Sequence, residues 1–203
     1  MPSTNSLNSI FEPSSVAVVG ASTNPEKTGH IILKNIVDGG FEGPVYPINP
    51  GASEILGLKA YKSLLDVPGD VDLVVIVVPA RAVPDVMRQA GKKRAGGAII
   101  ISGGFREIGN DVLEREVIDI AKSFGIRVIG PNCQGVNYTA SNLCASWPLI
   151  TAKGRMSVIS QSGTVAAALG EWAEAEGIGI SACVSLGNKA DVSEVDLIEY
   201  FSK

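Results

Sequence analysis

A chain of 203 residues is long enough for one full α/β domain and part of another. With 45% hydrophobic residues and a mean hydropathy of +0.24 it can bury a sizeable core, and its 19% charged residues leave a net charge of −4. This balance excludes a non-specific nucleic-acid binder, which needs a basic surface, and no basic amphipathic stripe points to a membrane surface.

The first dozen residues read as a loose arm, without the charged and apolar regions of a secretory signal. Short runs rich in β-branched residues follow at Val16–Val19, Val45–Ile48, Val71–Val78, Ala98–Ile101 and Ile126–Ile129. Most are apolar throughout, as in parallel strands covered on both faces, and the longest, near Leu73 to Val78, is too short to span a bilayer. The segments between them carry helical spacing. Val83, Val86, Met87 and Ala90 form one stripe; Leu113, Val117, Ile120, Ala121 and Phe124 form another. Strand then helix, repeated, predicts an α/β fold with a doubly wound parallel sheet and right-handed crossovers, over residues 1–146.

A second unit is expected over residues 147–203. Met156–Ser160 and Ser181–Ser185 read as strands. Val165, Ala168, Leu169 and Trp172 form a helix face, and Ser193 with Asp196 forms a capping box before a last helix. Two strands and two helices are too few for an independent domain, so this unit is read as truncated and as leaving an apolar face exposed.

In a doubly wound sheet, ligands bind beyond the carboxyl ends of the strands, so the residues following each strand are the candidates. After the first come Gly20, Ala21, Ser22, Lys27 and Gly29. Gly20 permits a tight turn, Ser22 can donate to a phosphate oxygen, and Lys27 adds charge where a helix begins. An ordinary strand–helix turn with a solvated lysine would use the same residues. After the second strand come Asn49 and Pro50, where a dinucleotide site would place a carboxylate for the ribose hydroxyls. A rigid loop without that carboxylate suits an adenosine bearing extra phosphate. After the third lie Val78, Pro79 and Ala80, small enough to rest against a base or a thin pantetheine arm. Ser102, Gly103 and Gly104 follow the fourth, ahead of Phe105, and Asn132 follows the fifth.

In the second unit Ser160, Ser162, Gly163 and Thr164 sit between a strand and a helix, a composition suited to an anion cup or to simple N-capping. A G-x-S-x-G nucleophile elbow does not fit, because 160 is Ser and 164 is Thr. The lone histidine, His30, reads as a partly exposed helical residue. Cys133, Cys144 and Cys183 make neither a metal-ligand spacing nor a disulfide framework. No metal site is read, Cys133 is expected to be a buried inert thiol, and a reducing cytoplasm is the expected compartment.

Taken in order, seven motifs resemble the CoA-binding part of nucleoside-diphosphate-forming acyl-CoA synthetases, such as ADP-forming acetyl-CoA synthetases and the succinyl-CoA synthetase alpha subunit. They are Gly20 to Gly29, Pro47-Ile-Asn-Pro50, Val78-Pro-Ala80, Ser102-Gly-Gly-Phe105, Gly130-Pro-Asn-Cys-x-Gly135, Ser160-Gln-Ser-Gly-Thr164 and Gly187-Asn-Lys-Ala-Asp191. The resemblance runs from about Phe11 onward. It implies a Rossmann-like CoA-binding domain followed by an incomplete flavodoxin-like unit, and an acid–thiol ligase that forms an acyl phosphate and passes phosphate through a histidine to ADP. It implies CoA phosphates at Gly20 to Gly29, the nucleotide at Asn49 and Pro50, adenine or pantetheine at Val78 to Ala80, the thiol arm at Ser102 to Phe105 and Asn132, and phosphate at Ser160 to Thr164. A small carboxylic acid, an ATP-grasp domain or subunit carrying ATP/ADP and Mg, and an oligomeric assembly would be the partners. The family's frequent lysine after Asn-Pro is Gly51 here, and its phosphorylated histidine would lie beyond Lys203; His30 does not match it. The alternatives are a non-catalytic CoA-sensing regulatory module and an NAD(P)-binding oxidoreductase domain. Against the latter stand the missing fingerprint glycine and the missing acid after the second strand.

Overall fold

The computed structural model describes residues 7–202. In chain order the elements are α1 (Asn8–Phe11), β1 (Val16–Val19), α2 (Thr28–Asp38), β2 (Val45–Ile48), the hairpin β3 (Glu54–Ile55) and β4 (Leu58–Lys59), and β5 (Leu73–Ile76). Next come α3 (Val83–Lys92), β6 (Gly97–Ile100), α4 (Asp111–Phe124), β7 (Arg127–Ile129), β8 (Val136–Tyr138) and β9 (Leu143–Ala145). The chain continues through β10 (Lys153–Ser160), α5 (Gly163–Ala175), β11 (Ile180–Ser185) and α6 (Glu194–Phe201).

The first sheet is parallel, in the order β2-β1-β5-β6-β7. Its β1, β5 and β6 are buried at every position because both faces are covered. Val16, Val18, Leu73 and Val75 pack on one face with α1 and α2, whereas Ala17, Val19, Val74 and Ile76 pack on the other with α3 and α4. The chain leaves β1 toward β2 and then crosses back to β5. The switch point therefore lies between β1 and β5, and a crevice opens there beyond the strand ends.

The second sheet, β10-β11-β8-β9, is mixed: β10 and β11 are parallel, and the short β8–β9 hairpin adds antiparallel strands. Two of its strands thus come from residues before 146, and their three-residue length left no periodic signal in the sequence. The buried Asn35 of α2 donates to the Ser146 carbonyl at 2.8 Å, and Val136, Leu143, Val184 and Leu197 join the core of α1 and α2. Ser193 and Asp196 form the expected capping box at α6.

One expectation is corrected. Residues 7–12 are not a loose arm; the part of that expectation concerning residues 1–6 lies outside the described residues. Leu7, Ile10 and Phe11 share one helical face and are fully buried, closing the end of the first sheet against Gly96 and Gly97. The helix face of Val165, Ala168, Leu169 and Trp172 on α5 is turned outward, with Val165 at 49%, Leu169 at 42% and Trp172 at 50% exposure, an exposed apolar face such as this unit is expected to leave. The buried face is Ala166, Gly170 and Ala173. Small residues win because the buried side of α5 is closely packed: a Cβ on Gly170 would sit 2.7 Å from the side chain of Ile150, in the loop before β10, and 3.9 Å from that of Ile180 in β11.

Candidate functional site

Five parallel strand ends and the start of α5 open onto one rim, which holds two cavities. The first, about 470 Å³, sits at the switch point. Its wall includes the predicted Gly20, Ala21, Ser22, Lys27, Gly29, Asn49, Pro50 and Val78, together with Lys62, Ser63 and Gln89. Among the described residues no Asp or Glu lines it.

Backbone geometry builds this wall. Gly20 has φ +94°, and a Cβ there would lie 2.3 Å from the Val77 carbonyl oxygen. A Cβ on Gly29 would lie 2.0 Å from the Gly20 oxygen, so the first turn of α2 is packed directly on the strand end. Lys27 is the N-cap of α2, which places its charge beside the unsatisfied N–H groups of that helix. The Asn49 side chain is a staple: it donates to the Ala21 carbonyl at 2.7 Å and accepts from the Gly51 N–H at 2.7 Å. His30 Nδ1 lies 2.8 Å from the Ser22 carbonyl, a contact that holds the loop when Nδ1 carries the proton.

The second cavity, about 640 Å³, is lined by Asn132, Cys133, Gln134, Trp147, Ser162, Gly163, Thr164, Glu171 and Asn188, among others. Ser162 caps α5 by accepting from the Val165 N–H at 3.3 Å, and the Ser160 hydroxyl accepts from the Ser162 N–H at 3.1 Å. Ser160 thus supports the cup from behind. Ser102 hydrogen-bonds to a lining residue of each cavity. Its hydroxyl accepts from the Val78 N–H at 3.1 Å, and its carbonyl accepts from the Asn132 N–H at 2.9 Å. One residue therefore joins the wall of the first cavity to the wall of the second.

Pro79, Ala80, Ser102, Gly103 and Gly104 are in neither cavity wall. Phe105 is fully buried in the core and offers nothing to the rim. The Ser102–Gly104 turn is fixed from below by Glu107, which accepts from the N–H groups of Gly104 and Phe105. Burial alone would push the Glu107 carboxyl up; the N–H of Gly104, the Asn188 amide and the N–H of Phe105 hold it below its ordinary value. Asn188 is the hub. Its amide donates to Glu107 and to the buried Glu114, each at 2.7 Å, while its oxygen faces the Asn132 amide at 3.4 Å.

Cys133 is 5% exposed, and burial pushes its thiol up to about 12; burial likewise pushes Cys144 and Cys183 up to about 11. A thiol reagent at pH 8 is expected to label none of the three in the native protein and all three after denaturation. Rapid native labelling of Cys133 would contradict this burial. Asp191 bridges to the first sheet, accepting from Arg127 Nε at 2.9 Å and from the Val128 N–H at 2.8 Å. Among the described residues no group of three or more His, Cys, Asp or Glu could hold a metal ion, and no helix is long and apolar enough to cross a membrane.

Lys62, Gln134, Glu171 and the hub role of Asn188 escape a reading of the strand-end loops. Asn188 does lie in a motif, Gly187 to Asp191, but its partners are 74 and 81 residues away.

Comparison with known proteins agrees with this geometry. The family described as "CoA binding domain" matches residues 14–139, and the family described as "Succinyl-CoA ligase like flavodoxin domain" matches residues 153–203. An ADP-forming acetate–CoA ligase of Methanocaldococcus jannaschii is 50% identical over 196 residues, covering 96% of this chain and 28% of the relative. The alpha subunit of an ADP-forming acetate–CoA ligase I of Pyrococcus furiosus is 45% identical, covering 97% of this chain and 44% of the relative. A solved acetyl-coenzyme A synthetase 1 of Ca. Korarchaeum cryptofilum, in complex with phosphate and ADP, superposes with a TM-score of 0.94 at 46% identity, covering 97% of this chain and 43% of that one. The chain thus spans 28% and 44% of the length of these two curated relatives. With well over half of its residues matched, the chain belongs to the CoA-binding-domain family, in the form shared with ADP-forming acyl-CoA synthetases.

Proposed function

We propose that this chain is the CoA-binding portion of an acid–thiol ligase that converts a small carboxylic acid, CoA and ATP into acyl-CoA, ADP and phosphate. An ATP-grasp domain or subunit would be its partner and would carry the ATP/ADP and Mg; the assembly would be oligomeric and cytoplasmic. Residues 1–146 act as the CoA-binding domain and residues 147–203 as the start of a succinyl-CoA-synthetase-like unit, the two tied together by the shared second sheet.

The observation that carries this reading is the pair of cavities on one rim whose walls are tied together by Ser102. The first has two lysines and no carboxylate, which suits the phosphorylated adenosine end of CoA. Ser22, Lys27 and the N-terminus of α2 bind the diphosphate. Val78, Pro79 and Ala80, then Ser102, Gly103 and Gly104, guide the thin thiol arm toward Asn132. The second cavity receives the thiol and the carboxylate, with the N–H groups at Gly163 and Thr164 and the hydroxyl of Ser162 facing phosphate and Ser160 holding that cup from behind. The walls around Gln134 and Trp147 limit water at the reacting atoms.

Calorimetric titration of the 203-residue chain tests it. CoA is expected to bind at one site per chain and NADH not to bind. Binding of NADH with no binding of CoA would overturn the reading.

A further inference from the structure

The first cavity holds a cation that no strand-end motif accounts for. Tyr61 makes a parallel bridge with Ile48: its N–H donates to the Pro47 carbonyl at 2.9 Å, and its carbonyl accepts from the Asn49 N–H at 2.8 Å. On the other side, Ser63 caps the following turn at the Leu65 N–H and donates its hydroxyl to Gln89 at 2.9 Å. Lys62 is therefore pinned at both flanking residues, while its own side chain is exposed along the cavity wall. Neither Lys62 nor Lys27 forms an ion pair among the described residues. In a chain of net charge −4, a cavity with two unpaired cations and no acid is built for an anion with more than one charged group.

The fold assigns the two cations to different groups. Lys27 caps α2, the helix that follows the first strand, where a diphosphate sits in a doubly wound sheet. The end of β2 is where the ribose sits, and a cation nearby accommodates a phosphate on that ribose. Here Asn49 occupies the end of β2, but its amide is already spent on Ala21 and Gly51. Lys62 is the cation held beside it. We propose that Lys62 recognises a phosphate on the ribose, so that this site distinguishes CoA from CoA lacking its 3′-phosphate; the assignment to CoA rests on the function proposed above.

The test is calorimetric titration of the wild-type chain, Lys62→Gln, Lys62→Arg and Lys27→Gln with CoA, 3′-dephospho-CoA, NADPH and NADH. Wild type is expected to prefer CoA over dephospho-CoA by about tenfold, the scale of one charge-assisted contact. Lys62→Gln is expected to erase that preference while leaving dephospho-CoA affinity within about twofold, and Lys62→Arg is expected to restore most of it. Lys27→Gln is expected to weaken both ligands by the same factor. Equal loss of both ligands in Lys62→Gln, or an unchanged preference, would overturn the inference. No binding of CoA, with NADPH preferred over NADH in a Lys62-dependent way, would uphold the ribose-phosphate contact and overturn the CoA reading. Absence of all binding would overturn both.

Discussion

Replacing Gly29 by alanine is expected to cost about 3–4 kcal/mol of stability and to abolish CoA binding together. The added Cβ would lie 2.0 Å from the Gly20 oxygen and 3.2 Å from the Ala21 Cα, both backbone atoms that no rotamer change can move. The first turn of α2 would have to lift away from the end of β1. That turn carries Lys27 and the helix N-terminus, and the strand end carries Ala21 and Ser22, so the cavity would open at the point where a diphosphate is to be held. Thermal denaturation should show a drop of about 10 °C for a chain of this size. A Gly29→Ala protein with wild-type stability and affinity would mean that this contact does not position the site.

The second large effect is expected at Asn188. The side chain is 7% exposed and donates to two carboxylates, Glu107 and Glu114, each at 2.7 Å. Asn188→Asp replaces the donating amide with a third carboxylate against a buried one. Among the described residues Glu114 keeps only Arg106 as a charged partner, at 3.4 Å. The loss at pH 7 should be about 3–5 kcal/mol, the cost of an uncompensated buried charge. The introduced carboxyl, buried beside two others, would take up a proton more readily than in the unfolded chain, so the folded variant binds more protons than the unfolded one in that window. Its stability relative to wild type should therefore rise as pH falls from 7 toward 5. Parallel melts of both proteins across that range check the sign, and a deficit independent of pH would point to lost packing rather than charge. Because Glu107 also accepts from the N–H groups of Gly104 and Phe105 and Asn188 faces Asn132, the same substitution should loosen the Ser102–Gly104 turn and the Asn132 loop.

Much of the first sheet is legible in the sequence because its strands are covered on both sides. Val16–Val19 and Val45–Ile48 read as strands with the bounds the structure has. Val83, Val86, Met87 and Ala90 are all buried on α3, since a helix on a sheet buries one narrow stripe. The β3–β4 and β8–β9 hairpins leave no trace, because strands of two or three residues are too short for a period to show. On α5 the pattern shows a helix but not which face packs, for a different reason. Hydrophobic pattern points to the largest apolar residues, but close packing against β10 and β11 selects Ala166, Gly170 and Ala173.

The site divides in the same way. Residues just past a strand, such as Ser22, Lys27, Asn49 and Asn132, can be found from topology alone. Lys62 cannot, because it lies beyond the β3–β4 excursion and reaches the rim only through the bridge between Ile48 and Tyr61. Asn188 reaches its role only when Glu107 and Glu114 are brought to it from the other end of the fold.

A crystal structure of this chain grown with CoA tests the central claim most directly. The account predicts adenosine and phosphates in the cavity between Gly20, Asn49, Lys62 and Val78, with the thiol arm passing Ser102 toward Asn132. Density for CoA on any other surface, with that cavity filled only by solvent, would contradict it.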